Sequence, residues 1–368
     1  MARDAPYAEA QHNQVRPAPV VAAFAVTLLI SSVLTRLMIR IAHSRGWLSE
    51  PTEDRWGKSR TALYGGVAMV SAYFAGAAIL LRPLIVGAHW DLVGLLIGGL
   101  LIGILGLRDD IRALDPQVKM LGQVMCVTPF LVGIGLTDPS PVFLFSMPVV
   151  LFWMVSHSNL FNLIDNMDGL SGGTAAIVGL VLAAYCYVSH TSGSRVGLPG
   201  DLGLLVSATA LGFLIFNFRP RRPAAIWMGD SGSMFLGYML GGVVVEGVSA
   251  TAHDYVGAIV LPLIIMALPI FDGALVIVTR KRAHRRISQG GRDHSSHRMV
   301  YAGLTEKQAV LTSYAISMLA GGSAVALQLL HSPHTTVVVA GLIAVLLCWF
   351  GVFLSRVRLP AAVTAPGS

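Results

Sequence analysis

Amide and carboxylate side chains are concentrated in the stretch NLFNLIDNMDGLSGG, which closes an otherwise apolar segment. Asn159, Asn162, Asp165 and Asp168 follow one another at intervals of three residues. In an α-helix each such step turns the side chain back by about 60°, so the four groups fan over roughly half of the circumference. A tighter turn would align them. Ionisable groups beside a membrane-length apolar run are costly to bury, and they therefore indicate a functional site.

Other polar motifs also border apolar runs. They are GLRDDIRALDPQVKMLGQ with Asp109 and Asp110, WMGDSGSMFLG with Asp230, and RDHSSHR with His294, His297 and Arg298. Each motif alone is more typical of a solvated helix end, a helix cap or a loop. In combination they predict a site for a metal and phosphates, because Mg²⁺ takes carboxylate oxygens together with substrate phosphates. Arg and Lys side chains would balance the remaining phosphate charge.

The elements that must position these residues are membrane-spanning helices. The chain has 368 residues, of which 54% are hydrophobic and only 12% charged, whereas soluble domains carry about 25% charged residues. We predict an all-α polytopic membrane protein, forming a single domain over residues 1–368. Apolar runs of spanning length give about eleven transmembrane helices, near residues 18–41, 62–82, 90–107, 118–136, 143–161, 170–190, 202–217, 232–250, 256–279, 309–331 and 335–355.

The basic residues indicate how these helices are oriented. All 26 Lys and Arg residues except Arg3, Arg16, Arg82 and Arg195 lie at one side of the predicted bundle. The positive-inside rule makes that side cytoplasmic, with the N-terminus outside and the C-terminus inside. Every polar motif lies on this side, including a long loop at 280–308, while the short tails cover 1–17 and 357–368. The net charge of +7 then reflects topology and attraction to lipid headgroups rather than nucleic-acid binding.

Local signals predict where three of the helices begin. Asp115–Pro116 suits the start of the fourth span, because Pro is favoured at the first helical position. Thr305 with Gln308 predicts a capping box before the tenth span. Asp230 or Ser231 is expected to cap the eighth span.

In their order and on their common side, the motifs resemble the polyprenyl-phosphate N-acetylhexosamine-1-phosphate transferases of glycosyltransferase family 4. The resemblance runs from about residue 50 to 310 and also includes EPTEDRWGKSRTALYGG. It implies that the phosphate of undecaprenyl or another polyprenyl phosphate attacks the β-phosphorus of a UDP-N-acetylhexosamine. The products would be polyprenyl-diphospho-sugar and UMP. Phosphoryl transfer of this kind needs positioning and charge neutralisation, for which the resemblance implies Mg²⁺, with Mn²⁺ as an alternative.

The resemblance also implies a role for each matching residue. Asp109 and Asp110 match paired aspartates linked to binding or deprotonating the lipid phosphate, and Lys119 matches a lysine that contacts phosphate. Asn162 and Asp230 match the residues that hold Mg²⁺. The remaining substrate-binding or catalytic positions are Asp165 and Asp168 near the nucleotide, His294, His297 and Arg298 around the sugar diphosphate, and the further contacts Asn159 and Lys58.

The chain departs from the family's pattern in four places. Ser296 stands where many members have a histidine in His-x-His-His-Arg, and Asn166 replaces the first glycine of Asp-Gly-x-Asp-Gly. The segment before Asp230 is longer and includes Arg219, Arg221 and Arg222. The early loop has Gly57 and Lys58 near a position where a histidine is frequent. It also lacks the histidine run, followed by an aromatic residue, that is usual in the muramoyl-pentapeptide branch, which favours the simple UDP-HexNAc branch.

The expected activity is the first membrane step of cell-envelope glycan synthesis, at the cytoplasmic face of the inner membrane, with GlcNAc as the expected sugar. Phospho-N-acetylmuramoyl-pentapeptide transfer is an alternative, and so is a cation-coupled transporter, because intramembrane acids also build ion paths. The transporter requires acids at mid-span, where Asp272 is the notable case. The sequence leaves open whether Asp272 packs or supports the site, and whether the protein is a homodimer.

Overall fold

The computed structural model describes residues 17–49, 60–137, 141–189, 197–252, 254–286 and 291–360. Lys58, which the resemblance assigned to substrate binding, lies outside the described residues. The helices are α1 (Pro17–Arg45), α2 (Gly65–Val86), α3 (Trp90–Ile111), α4 (Pro116–Thr137), α5 (Pro141–Ile164), α6 (Leu170–Val188), α7 (Gly197–Asn217), α8 (Gly229–Thr251), α9 (Tyr255–Ile265), α10 (Ala267–Arg282), α11 (Ser295–Tyr301), α12 (Glu306–Leu330) and α13 (Pro333–Ser355). The strands are β1 (Leu48–Ser49) and β2 (Thr61–Ala62).

This architecture confirms an all-α polytopic membrane protein. Within the described ranges, nine helices are long and apolar enough to cross a membrane, and Gly65–Leu80 of α2 is a shorter apolar segment. Every predicted span coincides with one helix, except the ninth, which is the pair α9 and α10. The predicted loop at 280–308 is partly helical, since α10 continues to Arg282 and α11 forms a further short helix.

The ninth predicted span is broken by a bend of 72° between α9 and α10. A proline side chain explains the position of the break. Pro269 has no amide N–H, so the carbonyl of Ile265 lacks the hydrogen-bond donor that a continuous helix would supply four residues later. The apolar pattern of 256–279 predicted one continuous span through this point, although Pro269 is a signal for a break.

Helix α8 lies at the centre of the bundle, and 89% of its most apolar window is buried. Glycines on two neighbouring helices allow the close approach to its N-terminal end. A Cβ at Gly66 of α2 would lie 2.2 Å from the amide nitrogen of Gly232, and a Cβ at Gly106 of α3 would lie 2.6 Å from the backbone of Asp230. The start of α8 is therefore held between backbone surfaces.

The segment before α8 is also anchored by the small sheet. Strands β1 and β2 pair antiparallel, and Ala62 forms a parallel bridge with Ile226. The amide of Trp227 donates to the carbonyl oxygen of Ala62 over 2.9 Å, and the amide of Gly66 donates to that of Met228 over 2.8 Å. These bonds hold the chain on both sides of Trp227 and thereby direct the first turn of α8.

Two of the three predicted helix starts are confirmed. Helix α4 begins at Pro116, and the Asp115 carboxylate accepts from the Gln117 amide over 2.9 Å. Thr305 with Gln308 forms the predicted capping box of α12. The predicted cap of α8 is wrong: that helix begins at Gly229, its N-cap is Met228, and Met228 supplies no side-chain hydrogen bond. The acceptor for these amides comes from another helix, as described below.

Replacing Gly106 by Ala should destabilise the protein, because the new methyl group would lie within 2.6 Å of the Asp230 backbone. Overpacking of this kind costs about 1–3 kcal/mol, and we expect a lower melting temperature in detergent. Gly322→Ala in α12 is the matched control, since among the described residues no atom outside the adjoining helix backbone lies within 4 Å of its added Cβ. Equal melting temperatures for the two variants would contradict this account of the packing.

Candidate active site

The polar residues of the site gather at one end of the bundle, where α3 and α5 end and where α4 and α8 begin. The hydrogen bonds described below join these four helix ends directly. The sequence placed the same motifs on a common side. The structure joins Asp109, Asp110, Lys119, Asn162 and Asp230 by direct contacts. Other groups are the partners of Asn159, Asp168, His294 and Arg298.

Lys119 of α4 bridges two carboxylates from different helices. Its Nζ lies 2.9 Å from Oδ2 of Asp109 and forms a second ion pair with Asp230. The other oxygen of Asp109 accepts from the Leu114 amide over 2.7 Å, so the chain after α3 is folded around this carboxylate. An ammonium held between two carboxylates marks a point of negative potential, which is also the environment that a divalent cation requires.

Asp110 of α3 supplies the acceptor that the start of α8 needs. Its Oδ1 accepts from the Asp230 amide over 2.7 Å and its Oδ2 accepts from the Ser231 amide over 3.0 Å. A carboxylate at a helix N-terminus is favoured by the unpaired amides and by the helix dipole. Gly229 adopts a φ of +69°, and a Cβ there would lie 2.6 Å from the Asp110 carboxylate oxygens. Asp110 therefore fixes the position of Asp230.

Asn162 and Asp230 lie side by side. Nδ2 of Asn162 donates to Oδ1 of Asp230 over 2.8 Å and to the hydroxyl of Ser233 over 3.0 Å. Among the described residues, no group of three or more His, Cys, Asp and Glu side chains has the arrangement of a metal site. Two oxygen ligands that leave room for substrate phosphates suit Mg²⁺ better than they suit a closed protein cage. Asn162 and Asp230 are therefore the residues that fit this ion.

Asn159 has a different environment, one turn deeper in α5. Its Nδ2 donates to Oε1 of Gln123 over 2.8 Å, and Nε2 of Gln123 donates back to Oδ1 of Asn159 over 3.1 Å. This reciprocal amide pair joins α5 to α4 below the site. Gln123 was not singled out from the sequence, although it ends the quoted motif GLRDDIRALDPQVKMLGQ.

Asp165 and Asp168 lie in the turn between α5 and α6, because α5 ends at Ile164. The spacing of three residues therefore continues beyond the helix, and the two carboxylates line a cavity of about 510 Å³. Oδ2 of Asp168 accepts from the Ala224 amide over 2.7 Å, which fixes the longer segment before α8 against the turn. The remaining lining includes Asn166, Phe218, Arg219, Arg221, Arg222, Trp227, Glu306 and Lys307.

His294 precedes α11 and is oriented by Asp272. Its Nδ1 lies 2.7 Å from Oδ2 of Asp272, while the amide and hydroxyl of Ser295 donate to Oδ1 over 2.7 and 2.5 Å. A carboxylate bonded to Nδ1 directs the imidazole proton to that nitrogen and sets the ring orientation. Asp272, whose role the sequence left open, therefore orients His294.

The other two members of the histidine motif are buried in α11. Burial lowers the pKa of His297 to about 3, so this imidazole is neutral at neutral pH. Its ring centroid lies 5.8 Å from that of His294. Arg298 is only 4% exposed, and it donates to the carbonyl oxygens of Asp293 and Leu354 over 2.8 and 3.2 Å. The structure thus places Arg298 as a link between α11 and the end of α13.

Asp293 anchors the segment that leads into α11. Nε and Nη2 of Arg280 donate to its two carboxylate oxygens over 2.8 and 2.6 Å, and Arg285 adds a contact of 3.2 Å. Burial alone would raise the pKa of the Asp293 carboxyl, but the hydrogen bonds and charge of Arg280, with His294 and Arg285, hold that pKa below its ordinary value of 3.8. Asp293 belongs to the quoted motif RDHSSHR, yet no role was assigned to it from the sequence.

Asp293→Asn should lower the melting temperature at pH 7, because breaking a buried ion pair costs about 3–5 kcal/mol. The native pKa of Asp293 is lowered, so its ionised form stabilises the fold above the ordinary pKa of 3.8. That contribution is lost as the pH falls toward the native pKa. The difference in melting temperature from the unmodified protein should therefore narrow below about pH 4.

The matched control for Asp293→Asn is Asp115→Asn. This variant removes the same charge at an exposed helix N-cap, a position where asparagine is as favourable as aspartate. Thermal unfolding in detergent between pH 7 and pH 3 measures both variants. If the difference in melting temperature between Asp293→Asn and the unmodified protein stays constant over this pH range, the lowered pKa assigned to Asp293 is contradicted.

Comparisons with known proteins agree with the motifs. Residues 92–248 match the profile of glycosyl transferase family 4. A probable undecaprenyl-phosphate N-acetylglucosaminyl 1-phosphate transferase of Bacillus subtilis is 32% identical over 321 residues, which cover 84% of this chain and 85% of the relative. A decaprenyl-phosphate N-acetylglucosaminephosphotransferase of Mycolicibacterium smegmatis is 28% identical over 306 residues, covering 76% and 73%.

A relative from the muramoyl-pentapeptide branch also matches over most of its length. The phospho-N-acetylmuramoyl-pentapeptide-transferase of Mycolicibacterium paratuberculosis is 29% identical over 363 residues, which cover 84% of this chain and 96% of the relative. The identity and coverage of the Bacillus subtilis relative, together with the profile match, establish the family. The chain is a multi-pass membrane protein that belongs to glycosyl transferase family 4.

Proposed function

We propose that the protein transfers a sugar 1-phosphate, with GlcNAc-1-phosphate as the first candidate, from a UDP-sugar to a polyprenyl phosphate such as undecaprenyl phosphate. UMP is the second product. The observation that carries this proposal is the contact network of Asp109, Lys119, Asn162 and Asp230 beside the cavity lined by Asp165 and Asp168. The printed names of the polyprenyl-phosphate relatives support the same reaction.

The donor set at the end of the bundle supports a dependence on Mg²⁺, with Mn²⁺ as the alternative ion. Asn162 and Asp230 would hold the ion, which when bound supplies charge neutralisation for the diphosphate. Asp110 keeps Asp230 in place through the first amides of α8. Lys119 is placed to contact a phosphate, because an ammonium held by two carboxylates at the opening of the site can exchange one of them for a phosphate oxygen.

The cavity between the α5–α6 turn and the segment before α8 is large enough for part of a nucleotide, and its wall is of mixed charge. Asp165 and Asp168 supply acceptors, while Arg219, Arg221 and Arg222 supply positive charge. The aromatic rings of Phe218 and Trp227 offer apolar surfaces. We assign the uridine part of the donor to this cavity. The sugar diphosphate would then extend toward His294 and the Asp230 network.

The arrangement of acids favours an enzyme over a cation-coupled transporter. The transporter hypothesis needs acids along a path through the membrane, and Asp272 was the mid-span candidate. In the structure Asp272 is bonded to His294 and Ser295 and is only 2% exposed. The distribution of basic residues supports an active site on the cytoplasmic face of the inner membrane, where the N-terminus is outside and the C-terminus inside.

Purified protein supplied with radiolabelled UDP-GlcNAc, undecaprenyl phosphate and Mg²⁺ should form a labelled lipid and UMP. EDTA should abolish the reaction, and added Mg²⁺ should restore it. Asp230→Asn should lower turnover by at least about a hundredfold, because a charged ligand to the diphosphate-bound ion is lost. A panel of UDP-sugars, including the muramoyl-pentapeptide donor, identifies the substrate. The proposal is overturned if no UDP-HexNAc supports turnover while Asp230→Asn behaves as the unmodified protein in every assay.

Lys119→Ala should raise the KM for polyprenyl phosphate by roughly tenfold or more with folding intact, because a hydrogen bond between charged groups contributes about 1.5–3 kcal/mol. Lys281→Ala is the matched control, since Lys281 is an exposed cation at the end of α10. Steady-state kinetics with varied lipid acceptor measure the effect. Kinetics of Lys119→Ala that equal those of the control would remove Lys119 from the site.

A further inference from the structure

The two single-residue departures from the family's motifs are in direct contact with each other. The hydroxyl of Ser296 donates to Oδ1 of Asn166 over 2.7 Å. Nδ2 of Asn166 donates in turn to the carbonyl oxygen of Leu163 over 2.8 Å. Positions 166 and 296 are separated by 130 residues in the chain, so their contact is a property of the fold and not of local sequence.

This contact joins the acidic wall of the cavity, formed by Asp165 and Asp168 of the α5–α6 turn, to the histidine segment His294–Arg298. Asn166 stands between Asp165 and Asp168 in the turn after α5, and it lines the same cavity of about 510 Å³. Ser296 stands on α11 between Ser295, which is bonded to Asp272, and the buried His297. This hydrogen bond thus connects the side chains expected to bind the nucleotide with those expected to surround the diphosphate.

The chemistry of the two positions explains why they belong together. Ser296 is 0% exposed, and a buried hydroxyl needs a hydrogen-bond partner. Asn166 supplies that acceptor and occupies space that glycine would leave empty. The backbone of Asn166 is outside the left-handed region, so no conformational demand calls for glycine there. A histidine at position 296 is longer than serine, and it would extend toward the turn where the Asn166 side chain now lies.

We propose that Asn166 and Ser296 are a matched pair of positioning residues that sets the placement of α11 against the acidic wall of the cavity. The pair controls how the UDP-sugar is held, and it takes the place of the glycine–histidine combination of the family's motifs. Neither residue can be changed to the family's residue without the other. This inference rests on the proposed transferase function.

The first experiment is a double-mutant cycle on the purified full-length protein. Ser296→Ala and Asn166→Ala should each lower kcat/KM for UDP-GlcNAc by about tenfold. The kcat/KM of the double variant should be no lower than that of the less active single variant, because the two changes remove the same contact. Losses that multiply in the double variant, or losses below twofold in both single variants, overturn the proposal.

The kinetic readout separates positioning from general loss of structure. Variants that merely fold poorly lower kcat through a smaller active fraction and leave both KM values unchanged. The positioning role predicts a raised KM for UDP-GlcNAc with an unchanged KM for undecaprenyl phosphate. An unchanged KM for UDP-GlcNAc would overturn the proposal even if kcat falls.

The second experiment exchanges the pair for the family's residues. Asn166→Gly and Ser296→His should each lower kcat/KM for UDP-GlcNAc at least tenfold, by loss of the partner and by steric conflict respectively. The double variant Asn166→Gly with Ser296→His should recover to within about threefold of the unmodified protein. A kcat/KM of the double variant as low as that of the less active single variant overturns the proposal of a matched pair.

Melting temperatures of the same variants separate this inference from the proposed function. If the unmodified protein forms no lipid product from any UDP-sugar, the proposed function has failed, and the positioning role fails with it. Coupling of the two positions in melting temperature would then survive as a purely structural contact. If the unmodified protein is active and the variants show no coupling in kinetics, only the inference about the pair is overturned.

Discussion

Two hydrogen bonds, from the Asp230 and Ser231 amides to the Asp110 carboxylate, fix the N-terminal end of the central helix α8. Among the spans of the described ranges, helix α8 is the most buried, and its N-terminus would otherwise carry unpaired donors inside the bundle. Because Asp110 ends α3, its carboxylate fixes the end of one helix to the beginning of another. Asp230 then has a defined position, from which it reaches Asn162 on α5 and Lys119 on α4. The geometry of the site depends on this cross-helix cap, which acts together with the backbone contacts of β2 and α2 before the first turn of α8.

Compensation of buried charge is the second theme of the site. Four carboxylates have specific partners: Asp109 has Lys119, Asp110 has the α8 amides, Asp272 has His294 and Ser295, and Asp293 has Arg280. Carboxylates in a low-dielectric setting require such partners, because an unpaired charge there is very costly. The partners come from different helices, so charge compensation also determines how the helices are arranged. The site is consequently organised by the protein's own contacts.

Much of the fold could be predicted from the sequence, since apolar runs indicate spanning helices whatever their neighbours are. The common side of the motifs also followed from the bias in Lys and Arg. Contacts between helices could not be predicted in this way. The spacing of Asn162, Asp165 and Asp168 describes directions around one helix, but α5 ends at Ile164 and the two acids lie in a turn. In the same way, the spacing could not show that Asp110 caps α8, that Asn159 pairs with Gln123, or that Arg298 is buried against the end of α13.

The central claim is that the bond broken lies between the two phosphates of a UDP-sugar, so that phosphate travels with the sugar. The most direct test uses UDP-GlcNAc labelled with ³²P at the β-phosphate, incubated with the purified protein, undecaprenyl phosphate and Mg²⁺. The account predicts that the label moves into the lipid fraction in equal amount to the sugar, while the nucleotide product is unlabelled UMP. Label retained in a UDP product, with sugar alone in the lipid, would contradict it.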